Sequence, residues 1–161
     1  NVVGIFIGNG LMTELGESPS TVKWYNVSGH AGGDRAGITD MNSGITNRTT
    51  LNNTGRDISN YPPFSYAAGK SGSVDWYVPA ANELSKICYK QDTINSTVTA
   101  LTDIEVTATA VNNSVGYWSS TEDDDGPSHY AYCHQGVGMI TSMKYTDGSL
   151  KVRCIAAIPS E

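Results

Sequence analysis

The sequence predicts a mixed α+β domain, and three observations carry that prediction. Residues Ala80–Lys90 follow Pro79 and place Leu84, Ile87 and Cys88 at i, i+3 and i+4, one apolar stripe of a helix. Gly116-Tyr117-Trp118-Ser119-Ser120-Thr121-Glu122 reads as a core strand that anchors a sheet and delivers the chain to a loop. Three short alternating runs follow, Ser128–Gln135, Met139–Tyr145 and Leu150–Ile158, separated by Gly136, Gly138 and Gly148.

The 161 residues suit one domain, with enough chain to bury a core. Hydrophobic residues make up 39% and charged residues 16%, with 17 glycines, so the core is expected to support long loops. A net charge of −6 argues against general nucleic-acid binding, which needs a basic face. No apolar run approaches the ~20 residues needed to cross a bilayer, so no membrane insertion of this domain is expected. The chain opens at Asn1 and is expected to be the C-terminal part of a longer polypeptide.

Taken in order, Val2–Ile7 is an apolar run ended by Gly8-Asn9-Gly10, a first strand and a turn. Thr21–Val27 alternates, with Val22, Trp24 and Asn26 on one face, and predicts a second strand. Ser28–Ser43 is a Gly-rich loop carrying His30, Asp34 and Asp40, and neighbours must hold it. Thr46–Asn60 is polar, with Ile45, Leu51 and Ile58 at roughly helical spacing. Tyr61-Pro62-Pro63 is expected to stop it, and Phe64–Ala68 to add a helical turn. In the helix Ala80–Lys90, Lys86 and Lys90 suit the C-terminal dipole, and Glu83 suits the first turn as a cap partner. Gln91–Ser114 carries Ile94, Val98, Leu101 and Ile104, a weaker helix or an irregular span.

Cys88, Cys133 and Cys154 show neither a CxxC pair nor zinc-finger spacing, so no structural metal site is expected. Each is read as a buried free thiol, with a Cys133–Cys154 pairing as the alternative. Asp123-Asp124-Asp125 leaves calcium open, although adjacent carboxylates more often form a solvated loop. No cofactor is otherwise expected. The five Asn-x-Ser/Thr sequons, at Asn26, Asn47, Asn52, Asn95 and Asn112, are read as polar loop residues.

Three motifs occur in order: Gly72-x-x-Asp75-Trp76-Tyr77-Val78-Pro79-x-x-x-Glu83-Leu84, Gly116–Glu122, and Lys151-Val152-Arg153-Cys154-Ile155-Ala156-Ala157. Together they resemble a set of bacterial surface and secreted domains related to the Fibrobacter major paralogous domain. The resemblance implies a C-type-lectin-like fold in its formylglycine-generating-enzyme-like branch. It implies two helices packed on small antiparallel sheets, long irregular loops, and paired N- and C-terminal strands. Ala156 stands where relatives usually carry a second Arg, and the catalytic cysteine pattern of the formylglycine-generating enzymes is not visible. The Glu-Pro-Asn and Trp-Asn-Asp patterns of calcium-dependent lectins are not visible either.

Some domains of that branch are rewritten by diversity-generating retroelements, which alter adenines and so change Asn codons. Here twelve asparagines lie between Asn1 and Asn113 and none beyond. Residue types reachable from an Asn codon crowd the last third instead, among them Cys133 and Gly136. The candidate ligand-binding residues are accordingly Asp124, Asp125, Ser128, His129, Tyr130, Tyr132, His134, Gln135, Met139 and Thr141. In a strand over Ser128–Gln135, Tyr130, Tyr132 and His134 share one face, and His129, Ala131 and Cys133 the other. Tyrosines there supply rigid contact area and a hydroxyl, or they simply cover the sheet.

The function expected is therefore non-enzymatic recognition of a protein or glycan ligand on a cell surface. Such a domain, adhesin-like or receptor-binding, would be displayed outside the cell on a bacterial surface, pilus or phage particle. A structural decoration domain of a pilus or virion is the alternative. An enzyme is the weaker third reading, because Ser119, Ser120, His129 and His134 lack a nucleophile-elbow or triad context.

Overall fold

The computed structural model describes residues 2–26, 35–123 and 150–158, and the backbone of 128–132 and 140–142. The elements run β1 (Gly4–Gly8), β2 (Leu11–Glu14), α1 (Gly44–Asn53), a 3-10 turn (Ile58–Asn60), α2 (Pro62–Ala68), α3 (Ala81–Tyr89) and α4 (Gln91–Thr102). They continue as β3 (Gly116–Glu122), β4 (Ser128–Tyr132), β5 (Ile140–Ser142) and β6 (Ile155–Ala157). The domain is mixed α+β, with four α-helices among the described residues where two were expected.

The strands form two antiparallel sheets, ordered β1-β2-β6 and β3-β4-β5. β2 pairs with β6 from Leu11↔Ala157 to Thr13↔Ile155, so the two ends of the described chain close one sheet. β2 is an element that its short, weakly alternating sequence does not reveal. The turn before it does: Gly8 pairs with Leu11 across Asn9 and Gly10, whose φ values are +53° and +69°. That is the twist a two-residue hairpin needs, and Asn-Gly adopts it at low cost.

The expected strand at Thr21–Val27 does not form. Only Val22 makes a bridge, to Leu150, and the chain then turns Trp24 and Tyr25 into the core while Asn26 stays exposed. Aromatic packing overrides the alternation here. Trp24 meets Tyr61 and Phe64 edge-on, at ring-centroid distances of 5.6 and 5.8 Å, a favoured arrangement. The 3-10 turn ends at Asn60, where Tyr61-Pro62-Pro63 was expected to stop it, and Pro62 and Pro63 also open α2, because proline is tolerated in a first turn.

Two hydrophobic cores result. One joins β1, β6, α3 and α4 through Ile5, Ile7, Leu84, Ile87, Ile94 and Ile155. The other joins Trp24, Tyr61 and Phe64 to Leu51, Val78 and Leu150. Three extended pairs straddle both cores, because successive residues of an extended chain point to opposite sides. Tyr77, Tyr117 and Ile155 enter the first core; their neighbours Val78, Trp118 and Cys154 enter the second.

Glu83 acts as the cap partner that its position predicts, and it reaches further. Its buried carboxylate accepts from the Ala80 N–H (2.9 Å), the Gly44 N–H (2.9 Å) and the Tyr77 hydroxyl (3.2 Å). Ala80 has no side-chain acceptor to complete a capping box, and Thr121 Oγ1 takes the Ala81 N–H instead, at 3.0 Å. Glu83 thus ties the start of α3 to the start of α1. Glu83→Ala, which strands three buried donors, is expected to cost about 3 kcal/mol. Gly44→Ala drives a Cβ onto the Val78 carbonyl oxygen and the Tyr77 ring, and is expected to cost about 2 kcal/mol or more. Urea midpoints at unchanged slope would measure both.

Candidate functional site

The strand β3 is buried at every position. Its backbone is satisfied on the side away from β4 by three separate segments. Trp118 N–H donates to the Lys151 carbonyl at 2.9 Å, Ser120 N–H to Pro79 at 2.7 Å, and Glu122 N–H to Ile38 at 2.7 Å. The hydroxyls are committed in the same way. Ser120 Oγ accepts from Asn47 Nδ2 (2.9 Å), Thr121 Oγ1 donates to the Asp40 carbonyl (2.9 Å), and Ser119 Oγ accepts from the Thr121 N–H (3.2 Å). The Glu122 carboxylate accepts from the Ala36 and Ile38 N–H groups at 3.1 and 3.0 Å, tethering the end of the long loop. Ser120 therefore anchors α1 and Thr121 the loop at Asp40, while the Ser119 hydroxyl bonds within β3 itself.

β4 pairs with β3, with Trp118 opposite Tyr130 and Gly116 opposite Tyr132, and a register shift separates these pairs from Glu122↔Ser128. β5 pairs with β4, with Ser128 opposite Ser142 and His129 opposite Thr141. Of the candidate residues, Ser128, His129, Tyr130, Tyr132 and Thr141 are thus brought together on one two-stranded ribbon carried by β3. Asp124, Asp125, His134, Gln135 and Met139 lie outside the described residues, and of the calcium candidate Asp123–Asp125 only Asp123 is described.

The expectation of a buried free thiol holds for Cys154 and is corrected for Cys88. Cys88 is disulfide-bonded and Cys154 is a free, buried thiol, so Cys133 and Cys154 do not pair. Cys133, the remaining cysteine of the chain, lies outside the described residues. Position explains the outcome. Cys154 sits in the second core, with its N–H held by Glu14 Oε1 at 2.5 Å, and burial pushes its thiol pKa well up. Among the sequons, Asn47 is buried and hydrogen-bonded to Asp40 and Ser120, which leaves no room for a glycan.

A second feature, unseen in the sequence, lies where β2 meets the end of α2. It is an open groove of about 430 Å³ lined by Val3, Glu14, Leu15, Gly16, Tyr66, Gly69, Lys70, Ser71 and Trp76. Glu14 is buried beneath it, paired with Lys70, and accepts from the Tyr66 hydroxyl at 3.0 Å. Lys70 also donates to the Tyr66 oxygen at 3.0 Å. Burial lowers the Lys70 pKa, but the hydrogen bonds to Glu14 and Tyr66 outweigh it and leave it raised. Burial likewise pushes Tyr66 up to about 12. Trp24 and Trp118 are fully buried, so Trp76, partly buried at this groove, is the tryptophan with a face to offer a ligand. The residues come from β2, α2 and the Asp75-Trp76 motif, and only that motif marked any of them in advance.

The raised tyrosines predict an alkaline limit to stability. Burial also raises Tyr77 and Tyr117, each with a neighbouring carboxylate, Glu83 or Glu17, adding to it. Below about pH 10 these phenols are protonated in both folded and unfolded chains, and their contribution is fully present. Above it the unfolded chain loses protons that the folded chain keeps, so stability falls with rising pH. Urea midpoints measured between pH 8 and about 11 should decline through that window. Tyr66→Phe should make the decline shallower.

Comparison of the chain with protein-family models, with curated proteins and with solved structures finds no match.

Proposed function

We propose that this chain is a C-type-lectin-like recognition domain, displayed on a bacterial surface, pilus or phage particle, that binds a protein or glycan ligand without catalysis. The observation that carries the proposal is the division of labour within one sheet. β3 is buried throughout and its hydroxyls anchor loops, while β4 and β5, with Ser128, His129, Tyr130, Tyr132 and Thr141, extend from it. A ligand surface built on a rigid strand keeps its geometry while its residues vary. The fold assignment draws support from the β2–β6 pairing of the two ends and from helices packed beside two small antiparallel sheets.

Tyr130 and Tyr132 are the residues expected to contribute most, since Tyr supplies contact area with little conformational entropy to lose. The isolated domain, screened against glycan and bacterial surface-protein arrays with and without calcium, should give a calcium-independent hit. Tyr130→Ala/Tyr132→Ala should weaken that hit by at least about tenfold in Kd while leaving Tm nearly unchanged. A large fall in Tm would place the two rings in the core and sink the assignment. A calcium-dependent glycan hit would move the site to Asp123–Asp125, and silence on both arrays would favour a structural role in a pilus or virion.

A further inference from the structure

The terminal sheet has an open edge. In the order β1-β2-β6, β1 is outermost, and among the described residues no strand pairs with its far side. The hydrogen bonds of β2 show which groups face that side. Glu14 N–H donates to the Cys154 carbonyl at 3.0 Å, and Ile158 N–H to the Gly10 carbonyl at 2.8 Å, so Gly10, Met12 and Glu14 turn their backbone groups towards β6. Alternation turns those of Leu11 and Thr13 towards β1, where Thr13 faces Ile5. The N–H and C=O of Gly4 and Phe6 are therefore directed outward.

This edge lacks the usual protection of charge or proline. Asn1–Thr13 contains no ionisable side chain, and Phe6 is 60% exposed, with Val3 exposed as well. The strand Gly4-Ile5-Phe6-Ile7-Gly8 also reads the same in both directions. An antiparallel partner of identical sequence then meets it residue for residue about a two-fold axis.

We propose that β1 pairs with β1 of a second copy of this chain, antiparallel and centred on Phe6. In that register Phe6 faces Phe6, Ile5 faces Ile7, and Gly4 faces Gly8. The outward N–H and C=O of each Phe6 exchange both hydrogen bonds with the second copy, and the two exposed rings cover one another. Charge does not oppose this occupant at the edge itself. A chain of net −6 repels its own copies, and the uncharged edge is where two can approach most easily. A contact built on one strand pair falls below the ~1,200 Å² of a standard interface, so the dimer should be reversible and dependent on concentration. Pairing would carry two recognition surfaces on one particle and raise avidity, although the inference does not rest on the recognition role.

Sedimentation velocity of the full 161-residue chain across a concentration series should show a dimer fraction that grows with concentration. Phe6→Lys, at a position exposed in the monomer, should leave Tm unchanged and abolish the dimer by placing two ammonium groups at the axis. Phe6→Cys should cross-link into a covalent dimer under mild oxidation, much faster than Thr107→Cys, which is exposed but off the axis. Any of three results would overturn the proposal: a monomer throughout the series, a dimer that survives Phe6→Lys, or cross-linking no faster at position 6 than at 107.

Discussion

Seven consecutive residues, Gly116 to Glu122, are buried, and six of them carry polar side-chain atoms that must find partners away from water. The rest of the domain is arranged around meeting that demand. Tyr117 OH donates to Glu17 at 2.7 Å and accepts from the Asn112 N–H at 3.1 Å, and Trp118 Nε1 donates to the Val22 carbonyl at 2.8 Å. The hydroxyls and carboxylate further along take up Asn47, Asp40, Ala36 and Ile38. Each bond stabilises the strand and also fixes one irregular segment that has little apolar surface of its own. A buried polar strand in place of a purely aliphatic one thus lets a loop-rich chain hold a defined shape.

The same device recurs in three buried glutamates. Glu14 accepts the Cys154 N–H, Glu83 those of Gly44 and Ala80, and Glu122 those of Ala36 and Ile38. Each carboxylate stands in for the backbone carbonyls that a longer strand or helix would have supplied. Hydrogen bonds to charged acceptors are stronger than neutral ones, which offsets the cost of burying the charge. Glu14 is helped further by Lys70. Arg153 performs the reverse service from the terminal sheet. It is buried beside β2 and donates from Nη2 to the Glu14 and Thr109 carbonyls at 3.2 and 2.8 Å. These charges hold loops in place and are spent on structure, although Glu14 and Lys70 also line the groove at Trp76.

The division bears on function. A domain that recognises varied partners needs a surface free to change and a core that does not respond to the change. Here the strands carrying the candidate residues attach to β3 by backbone pairing, which any side chain except proline permits. The anchoring side chains of β3 come from a different stretch of sequence, upstream of Asp123. Substitutions on the ribbon can therefore leave the loop anchors untouched.

Local signals in the sequence determined local structure. Pro79 with the stripe Leu84, Ile87 and Cys88 marked α3, the Gly8-Asn9-Gly10 turn marked the end of β1, and Tyr117-Trp118 marked a core strand. The first-turn position of Glu83 disclosed its bond to Ala80, three residues away, because capping acts over one helical turn. Its bond to Gly44, 39 residues away, was not legible, and neither was the placing of Asn47 against Ser120, 73 residues away. Thr21–Val27 had the alternation of a strand, yet edge-on packing of Trp24 on Tyr61 and Phe64 outweighed it. The pairing state of the cysteines and the groove over Glu14 depended on which segments meet, as did the ribbon that gathers Ser128 to Tyr132 with Thr141. Periodicity and capping operate within a few residues, whereas burial chooses among partners brought together only when the whole chain closes.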